Sequence, residues 1–168
     1  MIRSIAVTIT ILIYGVAFSQ TKSKVSANDF KTALGVWKGT LTYLDYSSGK
    51  PYTMPVNISI GLNTAKVDEI IFAFVYPDEP KANGNDTLII NKNGIEINGA
   101  AVTEKHELPD GTLQIITETK GVDGNDHRKA VLRHIYSISK TVFKNRKEAR
   151  FEGEEKWILR NEYSFNRQ

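Results

Sequence analysis

From Trp37 onward, apolar and polar side chains alternate with a period close to two, the pattern of half-buried strands. In the first such stretch Trp37, Leu41 and Tyr43 alternate with Lys38, Thr40 and Thr42, so one face is apolar and the other polar. The same pattern predicts strands over residues 38–46, 52–62, 67–76, 86–91 and 95–104, and again over 112–120, 129–139, 142–151 and 156–165. Between them stand turn-forming clusters such as Ser47-Ser48-Gly49-Lys50-Pro51, Asn83-Gly84-Asn85 and Pro109-Asp110-Gly111, with Asn91-Lys92-Asn93-Gly94 the sharpest hairpin signal. Glycine and asparagine tolerate the positive φ of tight hairpins, and proline cannot continue a ladder. One short helical turn is predicted over residues 26–34, where Ser26 can cap the amide near Asp29 while Phe30 and Leu34 share a face.

About nine strands with short connections favour an all-β, antiparallel up-and-down barrel of about eight to ten strands over a sandwich, which needs longer returns. Closure also removes exposed sheet edges. Several strands carry polar groups on both faces, among them Thr117, Glu118, Thr119 and Lys120, then Arg133, His134 and Ser137. These suit a barrel wide enough for solvent or a ligand better than a dry sandwich core.

The chain has 168 residues, and its first 19 predict a cleaved export signal. Arg3 precedes a mostly apolar run from Ile5 to Val16, and Ala17-Phe18-Ser19 places small residues where a signal peptidase reads. That run is shorter than the roughly 18 to 20 apolar residues of a membrane span, so no stable membrane anchor is expected and the protein should be secreted or periplasmic. Residues 20–168 then form one domain of about 149 residues. Loss of Arg3 lowers the formal charge from +3 to +2, a near balance that implies no nucleic-acid partner. Cysteine is absent, so the fold rests on core burial rather than disulfides.

The helical turn ending at Leu34, the Gly35-Val36-Trp37 sequence at the first strand and a basic residue in the last strand, Arg160, together resemble the calycin group. The closest likeness is to lipocalin-like secreted bacterial proteins of uncharacterised function. In that resemblance Gly35 permits close packing at the barrel entrance, Trp37 plugs the base and Arg160 packs over the tryptophan ring. The chain departs from the group in lacking cysteines and a Thr-Asp-Tyr element before the seventh strand. The Arg-x-Tyr pair of fatty-acid-binding proteins is missing too, since Arg160 and Tyr163 are three apart.

The resemblance implies a small apolar or amphipathic ligand in the barrel. Candidate lining residues are Phe72, Phe74, Ile115, Leu132 and Tyr136, with Arg133 or His134 as polar handles. Of the three histidines, His106 and His127 have no spaced partner, and no metal site is expected. His134 shares a strand face with Leu132 and Tyr136, which leaves a haem-binding or enzymatic barrel as the alternative. Asp123-Gly124-Asn125-Asp126 lacks the spacing of a calcium loop, and Asp78, Glu79 and Asp86 belong to turns. No nucleophile motif frames a serine, so no catalytic residue is assigned. Glu104 with Glu107, and Glu118 with Glu162, are the carboxylate pairs that could meet across a barrel. The basic run Lys140, Lys144, Arg146, Lys147 and Arg150 reads as a solvated outer strand. No cofactor is implied, and a ligand-free interaction module is the third alternative.

Overall fold

The computed structural model describes residues 24–45, 47–91, 93–125 and 127–167. The expected export signal, residues 1–19, lies outside them, as do Lys92 and Asp126 of two predicted turns. Ten strands form among the described residues: β1 (Gly35–Asp45), β2 (Lys50–Leu62), β3 (Glu69–Val75), β4 (Gly84–Ile89), β5 (Glu96–Ile97), β6 (Ala100–Glu107), β7 (Leu113–Asp123), β8 (Arg128–Ile138), β9 (Val142–Phe151) and β10 (Ile158–Arg167). Consecutive strands pair antiparallel from β1 to β4 and from β5 to β10, and β10 returns to pair with β1 from Trp37–Arg167 to Tyr43–Asn161. A bridge between Ile90 and Ile97 joins β4 to β5 and brings the circuit almost to closure.

The tenth strand arises because the segment predicted as one strand over residues 95–104 is broken in two. Asn98 and Gly99 adopt φ of 49° and 76°, so the chain reverses between Ile97 and Ala100. Two successive positive φ values are what an Asn-Gly pair supplies in a two-residue hairpin turn. This early reversal has an architectural result. Gly84–Leu88 on β4 and Thr119–Asp123 on β7 rise beyond the β5–β6 turn with a ladder partner on one side only. The wall therefore carries a notch between β4 and β7 at one end of the barrel.

The other end is sealed. Ala27–Ala33 form a 3₁₀ helix whose Phe30 and Ala33 are buried, and Leu34 packs beside them. The Asp29 carboxylate accepts the Ser26 N–H at 2.8 Å and pairs with Lys105 of β6 at 2.8 Å, tying the helix to the wall. Val25 donates its N–H to the Gly94 carbonyl at 2.8 Å. Trp37, fully buried, donates its indole N–H to the Ala33 carbonyl at 2.7 Å.

The guanidinium over the Trp37 ring belongs to Arg167, at 4.1 Å, and not to Arg160 as expected. Two features of β10 explain the correction. A register shift between Leu159 and Asn161 interrupts its alternation at Arg160, and the strand runs two residues beyond Phe165, which puts Arg167 opposite Trp37. Arg167 also donates to the carbonyls of Thr32 at 2.6 Å and Leu34 at 3.2 Å, where the 3₁₀ helix gives way to β1. Arg160 instead pairs with Asp123 and lies over Phe151 at the notched end. Gly35, at φ 113°, makes the entry into β1 in a region that a side chain would strain.

Much of the interior is filled by rings. Phe72, Phe74, Tyr76, Phe143, Tyr163 and Phe165 form a continuous series of contacts with centroid separations of 5.1–6.3 Å. The Tyr76 and Tyr163 hydroxyls share a hydrogen bond at 3.0 Å, so these polar tips are satisfied inside the barrel.

Candidate ligand-binding site

Strand alternation decides which residues meet inside. The paired lane Asn161–Lys147–His134–Thr117–Val102 crosses β10, β9, β8, β7 and β6, and partners in register share a face. Since Val102 and Thr117 are buried, this lane faces inward. A neighbouring lane carries Tyr163, Asn145, Tyr136 and Ile115. Beneath the notch these lanes leave a cavity of about 170 Å³, lined by apolar Phe72, Leu88, Ile97 and Leu132 and by polar Asp86, Thr117, Thr119, His134, Asn145 and Lys147. Asp86 and Leu88 come from one rim of the notch, Thr119 from the other.

Among the residues expected to line a site, Phe72, Leu132, His134 and Tyr136 border this cavity. Ile115 is fully buried in the core, and Phe74 lies in the ring series against Tyr163. Arg133 is corrected: its neighbours Leu132 and His134 point inward, so Arg133 points out. There its Nε donates to Glu148 at 2.6 Å and the guanidinium lies 3.8 Å above the Trp157 ring.

Lys147, Asp86 and Asn145 are among the cavity residues that the sequence alone does not single out. Lys147 belongs to the basic run of β9, yet it alternates with Asn145 and Ala149 on the inward set while Lys144, Arg146 and Arg150 take the outer face. Asp86 was assigned to a turn, but it sits in β4 two residues before buried Leu88 and on the same face. Asn145 carried no signal beyond its place in the alternation. The other candidates stay outside: His106 and Glu104 approach at 3.8 Å on the exposed wall, His127 is in the β7–β8 turn, and Glu118 and Glu162 lie on outer lanes.

His134 is fixed on two sides. Its Nδ1 lies 3.2 Å from the Asn145 side-chain oxygen, and its ring stacks on Tyr136 at 6.1 Å and 17°. An amide oxygen can only accept, so Nδ1 carries the proton and Nε2 is left as an acceptor. Burial pushes the imidazole below its ordinary pKa; the Asn145 hydrogen bond and Asp86 charge oppose this, while the Lys147 charge adds to it. Burial likewise raises the Tyr136 phenol, so it stays protonated and can donate.

The depressed imidazole pKa has a consequence for stability. Above the unfolded-state value of 6.5, His134 is neutral in both states and contributes no pH dependence. Below it the unfolded chain takes the proton first, so stability falls with pH until the lower folded-state pKa is passed. His134→Gln should flatten this limb in urea melts taken between about pH 7 and about pH 5. An unchanged slope would mean that another group carries it.

Fold and site together define a ten-stranded antiparallel barrel, sealed at one end, with a small cavity of mixed polarity beneath a notch at the other. No family model matches the chain, and no curated protein matches it in sequence.

Proposed function

We propose that this is a lipocalin-like carrier, exported by the leader at residues 1–19, that holds a small amphipathic molecule in the notched cavity. The observation that carries the reading is the division of the lining. Phe72, Leu88, Ile97 and Leu132 offer an apolar wall, while Thr117, His134 and Asn145 offer hydrogen-bonding groups on the facing lanes. Sites for small molecules combine apolar surface with a few convergent polar groups in this way. The sealing by Trp37 and Arg167 supports the likeness to the calycin group, because it joins a helical turn, the first strand and the last strand at one place.

The size limits the cargo. At about 170 Å³ the cavity is smaller than the roughly 300 Å³ at which drug-sized pockets begin. A porphyrin does not fit in that space, so the haem reading is not favoured.

Native mass spectrometry on protein purified from its own host tests this. The expected spectrum shows a chain cleaved after Ser19 carrying a low-mass adduct that leaves on denaturation, with no Soret band. Thr119→Trp, which fills the notch from an exposed rim position, should remove the adduct and leave the fold intact. A wild-type spectrum without adduct, together with no thermal shift from small amphipathic acids, amines or alcohols, would overturn the proposal.

A further inference from the structure

Two opposite charges face the cavity without meeting. Lys147 reaches it from β9, half-buried, and its ammonium makes no hydrogen bond or ion pair within the described residues. Asp86 reaches it from the β4 rim; its carboxylate accepts the adjacent Thr87 N–H at 2.7 Å and pairs with no cation among the described residues. Several charges elsewhere in the barrel are paired. Glu148 is held by Arg133 and Arg146, Asp123 by Arg160, Asp29 by Lys105, and Glu154 by Arg128. Within this cavity, one cation and one anion of the described residues are left open on its two sides.

Lys147 is half-buried and Asp86 lies exposed at the rim, so a guest that covers them removes water from two charges, a cost that a ligand supplying counter-ions offsets. An apolar guest would strip water from both Lys147 and Asp86 and answer neither. A simple carboxylate or amine would answer one and leave the other exposed to a low-dielectric wall. A molecule with an anionic and a cationic group answers both and leaves the net charge of the cavity unchanged.

Resting on the carrier reading above, we infer that the ligand is a small zwitterion of the α-amino-acid class, with its carboxylate toward Lys147 and its ammonium toward Asp86. The neutral His134 is the direct register partner of Lys147 and lines the same cavity, so a bound ligand lies against its ring. Both charges act on the same imidazole, Asp86 raising and Lys147 lowering its pKa, as groups placed about one space should. The volume suits the class: about 170 Å³ corresponds to roughly half a dozen waters, enough for a short branched side chain against Leu88, Ile97 and Leu132.

The test uses the full-length mature protein, with L-valine as probe, against 3-methylbutanoate, which lacks only the ammonium, and isobutylamine, which lacks only the carboxylate. Calorimetric titration should find valine binding at least ten-fold tighter than either analogue. Asp86→Asn should erase the advantage over 3-methylbutanoate, and Lys147→Met the advantage over isobutylamine. In the unsubstituted protein, valine should shift the NMR signals of the His134 ring and the Thr117 methyl, a readout independent of how the variants fold. Equal binding of an analogue, or valine binding unchanged in both folded variants, would overturn the zwitterion assignment. So would the absence of shifts at His134 and Thr117. A retained neutral amphiphile from the host would then leave the carrier reading standing, whereas an empty host-purified protein would remove both.

Discussion

Gly39→Ala is expected to be among the most destabilising single-methyl additions in the barrel. A Cβ built at Gly39 would collide with the Ser164 carbonyl oxygen and lie 2.8 Å from both the Phe165 Cα and its ring. Two of these three atoms are backbone of β10, so no rotamer change relieves the clash and the strands must part. They would part at the β1–β10 seam, where Gly39 pairs with Phe165 and the sheet returns on itself. Overpacking in a core costs roughly 1 to 3 kcal/mol, occasionally more, and a contact with backbone belongs at or above the top of that range. Gly61→Ala in β2 is the control, since nothing lies within 4 Å of its added methyl. Urea unfolding should show a large fall in midpoint for the first and a change within about 1 kcal/mol for the second. Similar midpoints would show that the seam adjusts freely.

Trp37→Ala should cost about 3 to 5 kcal/mol, the range for deleting a large buried aromatic. Trp37 is the largest fully buried side chain, and three partners depend on it. The Ala33 carbonyl loses the indole N–H, Arg167 loses the ring beneath its guanidinium, and Phe143 loses a neighbour at 6.4 Å. Arg167→Ala leaves the ring in place and removes the cation–π contact and the links to Thr32 and Leu34, so about 1 to 2 kcal/mol is expected. The order of the two variants in thermal or urea melts is the check. If Arg167→Ala proved as damaging as Trp37→Ala, the arginine rather than buried ring area would hold the sealed end.

The strands were legible because one side of each faces water and the other does not, which writes a period of two into the sequence. The same logic would have placed Asp86 and Lys147 inside, had polar residues been followed through the alternation as strictly as apolar ones. Asp86 keeps step with Leu88 and Ile90, and Lys147 with Phe143 and Ala149. What alternation alone could not give was the phase at β10, where the shift between Leu159 and Asn161 changes which residues face inward. Arg160 is the basic residue that the resemblance implies for the tryptophan, whereas Arg167, two residues beyond Phe165, stands opposite Trp37. The division of residues 95–104 was marked by Asn98-Gly99, a hairpin pair hidden by the apolar residues on either side. The notch had no signal of its own, because it follows from where β5 stops relative to its neighbours and not from any single residue.

The short β5 also sets a condition for life in a crowded solution. Each rim of the notch is a strand edge with unsatisfied backbone groups, the kind of surface on which a second chain can add a strand and seed aggregation. The rims discourage such growth. Gly84 and Gly121 weaken any added ladder, and Asp86 on one side with Lys120 and Asp123 on the other flank exposed Val122 with charge. The residues that frame the opening thereby help to keep each molecule separate from its copies.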